Sequence, residues 1–159
     1  RLRLDSVPKL THLRCDGMAL AFLNLARLGE LESLSCGWNI ITHLLLGHTP
    51  KLRHLSCDSN HIAHLDLSAV PNLEHLSCSR NHLSVLELSQ TPKLVELSCE
   101  DNRLTHLDLT YAPELRKLNC DSNDIALLDV RGLRKLKRLE YDLLKTSVLQ
   151  REDQHFDEV

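Results

Sequence analysis

Hydrophobic positions recur along this chain on a fixed schedule. Leucine stands at Leu10, Leu31, Leu52, Leu73, Leu94, Leu115 and Leu136, and again three places on at Leu13, Leu34, Leu55, Leu76, Leu97, Leu118 and Leu139. Two places later comes cysteine, at Cys15, Cys36, Cys57, Cys78, Cys99 and Cys120, which accounts for all six in the chain. Asparagine follows at Asn39, Asn60, Asn81, Asn102 and Asn123, then an aliphatic residue at Leu20, Ile41, Ile62, Leu83, Leu104 and Ile125. Two more leucines and a proline close the unit, most clearly Leu65, Leu67 and Pro71 of LRHLSCDSNHIAHLDLSAVPN, residues 52–72. A 21-residue period held without insertion or deletion predicts a solenoid, one turn of coil per unit.

Each position has a physical role. The segment LxxLxC alternates apolar and polar residues, the period of a strand with one buried face. Successive units stack these strands in parallel, about 4.8 Å apart. Parallel strands usually return through a helix of a dozen or more residues. Here the return carries Pro50, Pro71, Pro92 and Pro113, each lacking a backbone donor. Short extended segments and 3₁₀ turns are therefore expected on the convex side. The recurrent asparagine lies where the chain leaves the strand. Its amide donates and accepts, so stacked copies predict a ladder that satisfies the peptide groups of neighbouring turns.

Composition fits a core of one repeated aliphatic layer, because aromatic residues are only 3% of the chain while 42% is hydrophobic. The net charge of −3 lacks the basic footprint of a nucleic-acid binder. No apolar run reaches membrane-spanning length, and the first residues carry no signal-peptide pattern. Six cysteines invite a disulfide framework, a zinc site or a nucleophile. Ladder neighbours point the same way and sit slightly too far apart for a disulfide. Zinc needs a tetrahedral cluster, and a nucleophile needs an exposed thiolate. A column of buried, reduced thiols is the expectation instead.

The pattern LxxLxCxxNxLxxLDLSxxP resembles the cysteine-type, 21-residue repeats of bacterial leucine-rich-repeat proteins, the internalins among them. The resemblance covers residues 2–142 and is carried best by Leu52 to Pro113, with Asp66-Leu67-Ser68 and Asp108-Leu109-Thr110 in the LDLS slot. It implies an α/β-type leucine-rich-repeat solenoid with a parallel sheet on its concave face. It also implies a surface open to partners, often on a bacterial cell or among virulence factors. The first repeat departs with Met18 in the asparagine slot, and the seventh with Tyr141 for cysteine and Leu144 for asparagine.

The expected layout is a solenoid over residues 1–142, with a partial repeat at 1–9 and repeats starting at 10, 31, 52, 73, 94, 115 and 136. Residues 2–8 align with the closing segment Leu65 to Pro71, so the first layer reads as open and in need of a cap or of upstream residues. Residues 143–151 predict a short helical lid, with Leu144 and Val148 four apart behind Asp142 as its cap. Residues 152–159 read as an acidic, mobile tail.

Function in such a fold comes from outward positions. One strand column reads His12, Ser33, His54, His75, Glu96, Lys117, and the third exposed column reads Asp16, Gly37, Asp58, Ser79, Glu100, Asp121. Beyond the strand stand Trp38, Arg80, Asp101 and Arg103. Tryptophan and arginine dominate interface hot spots, so Trp38, Arg80 and Arg103 lead the candidates, with His54, His75, Asp58 and Glu100 lining the groove. Trp38 folded over a neighbouring turn is the competing reading. The acidic bias suits a basic protein or peptide. The ten histidines read as products of duplication, with a metal site or pH-sensitive binding as alternatives. No catalytic, cofactor or metal residues are assigned, because rows of like side chains do not supply the unlike groups that catalysis brings together. The chain is thus expected to be a binding module or, alternatively, the recognition part of a larger enzyme or toxin. A secreted or surface-exposed bacterial setting is the leaning.

Overall fold

The computed structural model describes residues 2, 4 and 6–157. Its seven concave strands are β1 (His12–Arg14), β3 (Ser33–Ser35), β5 (His54–Ser56), β6 (His75–Ser77), β7 (Glu96–Ser98), β8 (Lys117–Asn119) and β10 (Arg138–Glu140). They form one parallel sheet in that order. Every pairing is in repeat register, as Leu34 with Leu55 and Leu76 with Leu97. The central leucine of each strand points inward, and from Leu34 to Leu139 it is buried, while its two neighbours face the concave surface. On the opposite side β2 (Phe22–Asn24) pairs with β4 (His43–Leu45), and β9 (Leu127–Asp129) with β11 (Ser147–Leu149). Both pairs are parallel. The equivalent residues 64–66, 85–87 and 106–108 form no strand.

The core is one stack of leucine, cysteine and isoleucine layers, with Leu31, Leu52, Leu73, Leu94 and Leu115 wholly buried. Return to the next strand runs through paired tight turns rather than the expected 3₁₀ segments. In the third repeat Val70 N donates to Leu67 O and Leu73 N to Val70 O. One bond per turn, followed by proline or a buried apolar anchor, leaves no run long enough for a 3₁₀ helix. The preceding repeat departs at Gly47, whose φ is 64° and whose added Cβ would lie 2.5 Å from the Ala26 Cα. No larger residue fits there.

The asparagine ladder sets the register. Asn81 Nδ2 donates to Cys78 O and Ser79 O of its own turn and to Cys57 O of the turn before, each at 3.1 Å. Its Oδ1 accepts from Ile62 N at 3.0 Å. Asn39, Asn60, Asn102 and Asn123 repeat the same link to the preceding turn, the first through Leu20 N and Cys15 O.

The C-terminal segment is not a helical lid. Residues 143–145 make one turn, in which Asp142 accepts from Leu144 N through its side chain and from Thr146 N through its carbonyl. There the coil geometry wins, because Thr146 Oγ1 donates to Ile125 O and Ser147 N to Ala126 O, drawing Val148 into β11. Beyond it the buried Gln154 donates to Val130 O at 2.9 Å and Leu133 O at 3.2 Å, and Asp157 bridges to Arg138. The segment expected to be a mobile tail thus packs on the last turn as far as Asp157. Residues 158–159 lie outside the described residues.

Two stability predictions follow from this bonding. Asn81→Leu strands the Ile62 amide and removes one of two donors from each of Cys57 O, Cys78 O and Ser79 O, and should lower stability by roughly 1–3 kcal/mol in urea unfolding. Glu87→Ala, exposed on the convex side, should leave the midpoint unchanged. Equal effects would remove the ladder as the source of register. Thr49 is wholly buried with no partner for its hydroxyl, whereas Thr91, one register equivalent, donates to Leu88 O at 3.0 Å. Val70 fills the same slot in the next repeat. Thr49→Val should therefore stabilise by about 1 kcal/mol, and a lower midpoint would contradict the orphaned hydroxyl.

Candidate functional site

The residue just before each ladder asparagine is forced into the left-handed region. Gly17, Trp38, Ser59, Arg80, Asp101 and Ser122 occupy this register with φ between 51° and 64°. The twist aims the next side chain into the core while the backbone amide reaches the following turn, as Trp38 N to Asp58 O and Arg80 N to Glu100 O, both 2.9 Å. A residue with a Cβ is strained in this conformation by about 1 kcal/mol or more. Its side chain has nowhere to go but out.

Trp38 is accordingly 69% exposed, beside the exposed Met18 and Ile40. It does not fold over its neighbours. Arg80 shares its column two turns on, about 10 Å along the stack, with its guanidinium 3.8 Å from Glu100. Arg103 stands in the adjoining column, Ile40, His61, His82, Arg103, Asp124, in which the rings of His61 and His82 stack at 5.5 Å. Trp38, Arg80 and Arg103 therefore share one flank without converging on a point.

The concave acids are committed within the fold. Asp58 accepts from Ser77 Oγ at 2.7 Å and from Ser79 N at 2.7 Å, and Asp16 does the same with Ser35 Oγ and Gly37 N. Burial alone would raise the Asp16 carboxyl, but bonds from Ser35, the Gly37 amide and Arg14 hold it below the usual range. Glu100 accepts from Asn119 Nδ2 at 2.6 Å. Ser79, expected on the open face, is buried and shares a hydrogen bond with Ser98. The acidic bias that suggested a basic partner is thus largely spent on internal bonds.

His54 and His75 do come together. Their rings stack at 4.7 Å with planes 6° apart, and His75 Nδ1 lies 3.4 Å from Glu96 Oε2. Lys117 Nζ holds the other oxygen of Glu96 at 2.6 Å and keeps its carboxyl below the usual range, against some desolvation and with His75 adding to the effect. Arg138 Nε meets Glu140 Oε1 at 2.8 Å at the far end. These side chains line a concave groove of about 520 Å³ over β5 to β8 and β10. Sequence reasoning had not put Arg138 and Glu140 in this site. Extending the histidine column one more repeat would have found Arg138.

The convex acids hold turns. Asp66 accepts from Ser68 N at 2.9 Å and Asp108 from Thr110 N at 3.0 Å, and bonds from these hydroxyl residues lower both carboxyls. Asp129 is lowered to about 2 by Arg131. Among the described residues no three His, Cys, Asp or Glu side chains gather as metal ligands, and no helix is long and apolar enough to cross a membrane.

No protein-family model matches the sequence, and no curated protein matches it. Solved structures do. The LRIM1/APL1C complex contains a chain 25% identical, matched over 92% of this chain and 29% of that one with a TM-score of 0.78. The internalin InlF from Listeria monocytogenes is 22% identical over 78% of this chain and 37% of that one, with a TM-score of 0.69. The TLR13–ssRNA13 complex gives 22%, 89%, 23% and 0.69 in the same order. This chain therefore spans 23% to 37% of the length of these structures. Its fold is the leucine-rich-repeat solenoid, which bacterial internalins share.

The six thiols are all free and buried. Burial pushes Cys15 up to about 11 and Cys120 to about 12, and holds the four between them higher still or well above the ordinary value of 9.0. In every case desolvation leads, with neighbouring thiols or carboxylates adding to it. Thiol titration should find none reactive in the native state near neutral pH and all six after denaturation. Native thiols keep protons that unfolded thiols release near 9.0, so this contribution to stability is intact below that value and declines as pH rises beyond it. A urea midpoint that holds or rises between about pH 9 and 11, or fast native labelling, would contradict a buried column.

Proposed function

We propose that this chain is a non-catalytic recognition solenoid that binds a protein or peptide across its concave sheet and the adjoining flank of Trp38, Arg80 and Arg103. One observation carries the reading: a tryptophan 69% exposed, in a strained backbone register, beside exposed Met18 and Ile40. Exposed apolar side chains at successive positions of one flank, with charge beyond them, suit a protein contact. The same fold occurs in the LRIM1/APL1C complex, a protein assembly, and in the TLR13–ssRNA13 complex. Charge favours protein here. Several surface cations pair with acids one turn away, as in Lys51–Glu30, Arg53–Glu74, Lys117–Glu96 and Lys135–Glu114, and the net charge is −3, which supports a protein over a phosphate backbone.

The cysteine-type repeat supports a bacterial setting, with a partner on the host or on the cell surface. Asp58 and Glu100 act in this reading by fixing the groove, and His54 and His75 by facing the ligand. A role as the recognition part of a larger enzyme or toxin would use the same surface.

A photo-crosslinking residue in place of His61, on the flank, tests the proposal. In host or bacterial lysate it should capture a protease-sensitive, nuclease-resistant adduct, while the same probe at Glu87 on the convex side captures none. Trp38→Ala with Arg80→Ala should abolish the adduct, each truncation costing about 2 kcal/mol. Asp66→Ala with Asp108→Ala should leave it unchanged. Nuclease-sensitive adducts, or equal capture from Glu87, would refute the assignment.

A further inference from the structure

The concave groove is close to electrically balanced by its permanent charges. Lys117 and Arg138 face Glu96 and Glu140, two cations against two carboxylates. Its floor has little left to offer, since Ser77 Oγ is bonded to Asp58 and Asn119 Nδ2 to Glu100. The sign of the groove therefore rests on its two imidazoles, His54 and His75.

The surroundings of those rings decide what a proton does there. On β3 the residue beside His54 is the uncharged Ser33. At the entry to β5 and β6, Arg53 and Glu74 neutralise each other at 2.5 Å. On β7, Glu96 lies 3.4 Å from His75, but its charge is already shared with Lys117 of β8. Among the described residues no carboxylate forms an ion pair with His54, and the acid below it, Asp58, is turned to its serine and amide donors. Rings 4.7 Å apart repel once both are charged, and an incoming anion relieves that repulsion.

We propose that this groove binds a carboxylate-rich segment of its partner in a proton-dependent manner, strongly in mildly acidic solution and weakly at neutral pH and above. Histidine is the side chain that gains charge in mildly acidic solution, and protonation of this pair would turn a balanced groove cationic. A ligand carboxylate over the stack favours the doubly protonated pair, which makes binding and proton uptake one event. The proposal rests on the concave face being a ligand surface, and it gives that ligand a chemistry opposite to the basic one suggested by composition.

Octaglutamate is the probe, with octalysine as control, titrated calorimetrically into the intact protein at about pH 5.5, 6.5 and 7.5. Octaglutamate should bind about tenfold or more tighter at the lowest pH than at the highest, as expected for uptake of one proton or more. The heat should differ between buffers of unlike ionisation enthalpy, reporting that uptake. His54→Gln with His75→Gln should flatten the pH profile at an unchanged unfolding midpoint; His54→Gln alone serves if the pair disturbs folding. Absent octaglutamate binding at about pH 5.5, equal affinity at all three values, a preference for octalysine, or a pH profile untouched by the substitutions would each overturn the proposal. Should octaglutamate fail while the flank adduct from position 61 persists, the groove chemistry is wrong and the recognition role stands.

Discussion

The structure depends on one device, an asparagine amide that bonds to two turns of the chain at once. A coil without helices leaves the carbonyls after each strand buried and without a regular partner. Asn60 takes Cys57 O and Asp58 O of its own turn and Cys36 O of the one before, and returns an acceptor to Ile41 N. Each amide fixes the axial distance between turns and the length of chain between them. The left-handed residue ahead of it and the small thiol in the layer beneath belong to the same geometry. Where Met18 replaces asparagine in the first repeat, its backbone amide donates to Asn39 Oδ1 of the next turn, beside that oxygen's regular donor Leu20 N. On the convex side of the last turn the buried Gln154 bridges two carbonyls in a comparable way, Val130 O and Leu133 O.

Stacking near-identical units creates a second problem, because every side chain finds its own counterpart about 4.8 Å away. Leucine gains from that proximity and charge does not. The chain resolves it by alternating signs along the stack, as in Lys51–Glu30 and Lys135–Glu114, and by ending carboxylates on backbone amides or hydroxyls. Such exposed ion pairs contribute little to stability, but like pairs in their place would oppose stacking. Histidine is the exception that tolerates its own kind, its rings stacking at 4.7 Å for His54 on His75 and at 5.5 Å for His61 on His82.

Recognition and architecture are thereby separated by direction. Inward positions are nearly invariant from repeat to repeat, because a change there disturbs two neighbours. Outward positions vary freely and grade along the coil: the left-handed column runs from Trp38 through Ser59 and Arg80 to Asp101, and the column beside it from Ile40 through two histidines to Arg103 and Asp124. On this flank the exposed apolar residues Met18, Trp38 and Ile40 fall in the first two turns, while charge dominates these columns later. A partner lying along this flank meets a different chemistry at each turn.

The sequence by itself determined the coil, its 21-residue period, the seven-stranded parallel sheet, the buried thiols and the asparagine ladder. Repetition made these legible: seven copies of one pattern average out the ambiguity that a single segment carries. It also separated the inward from the outward face wherever the alternation was strict. Tertiary structure alone decided what the repetition does not encode. Residues 143–149 have helical spacing, yet Thr146 and Val148 join β11 because Ile125 O and Ala126 O offered bonds across the turn. Ser79 occupies an outward slot and is nevertheless buried, because the Asp58 of the preceding turn draws its amide inward. Asp58 and Glu100 looked available as letters in a column, and only their partners one turn away show that they are taken. Local pattern fixes where a side chain starts; which neighbour it meets depends on groups 19 to 21 residues distant, and those contacts exist only once the coil has closed.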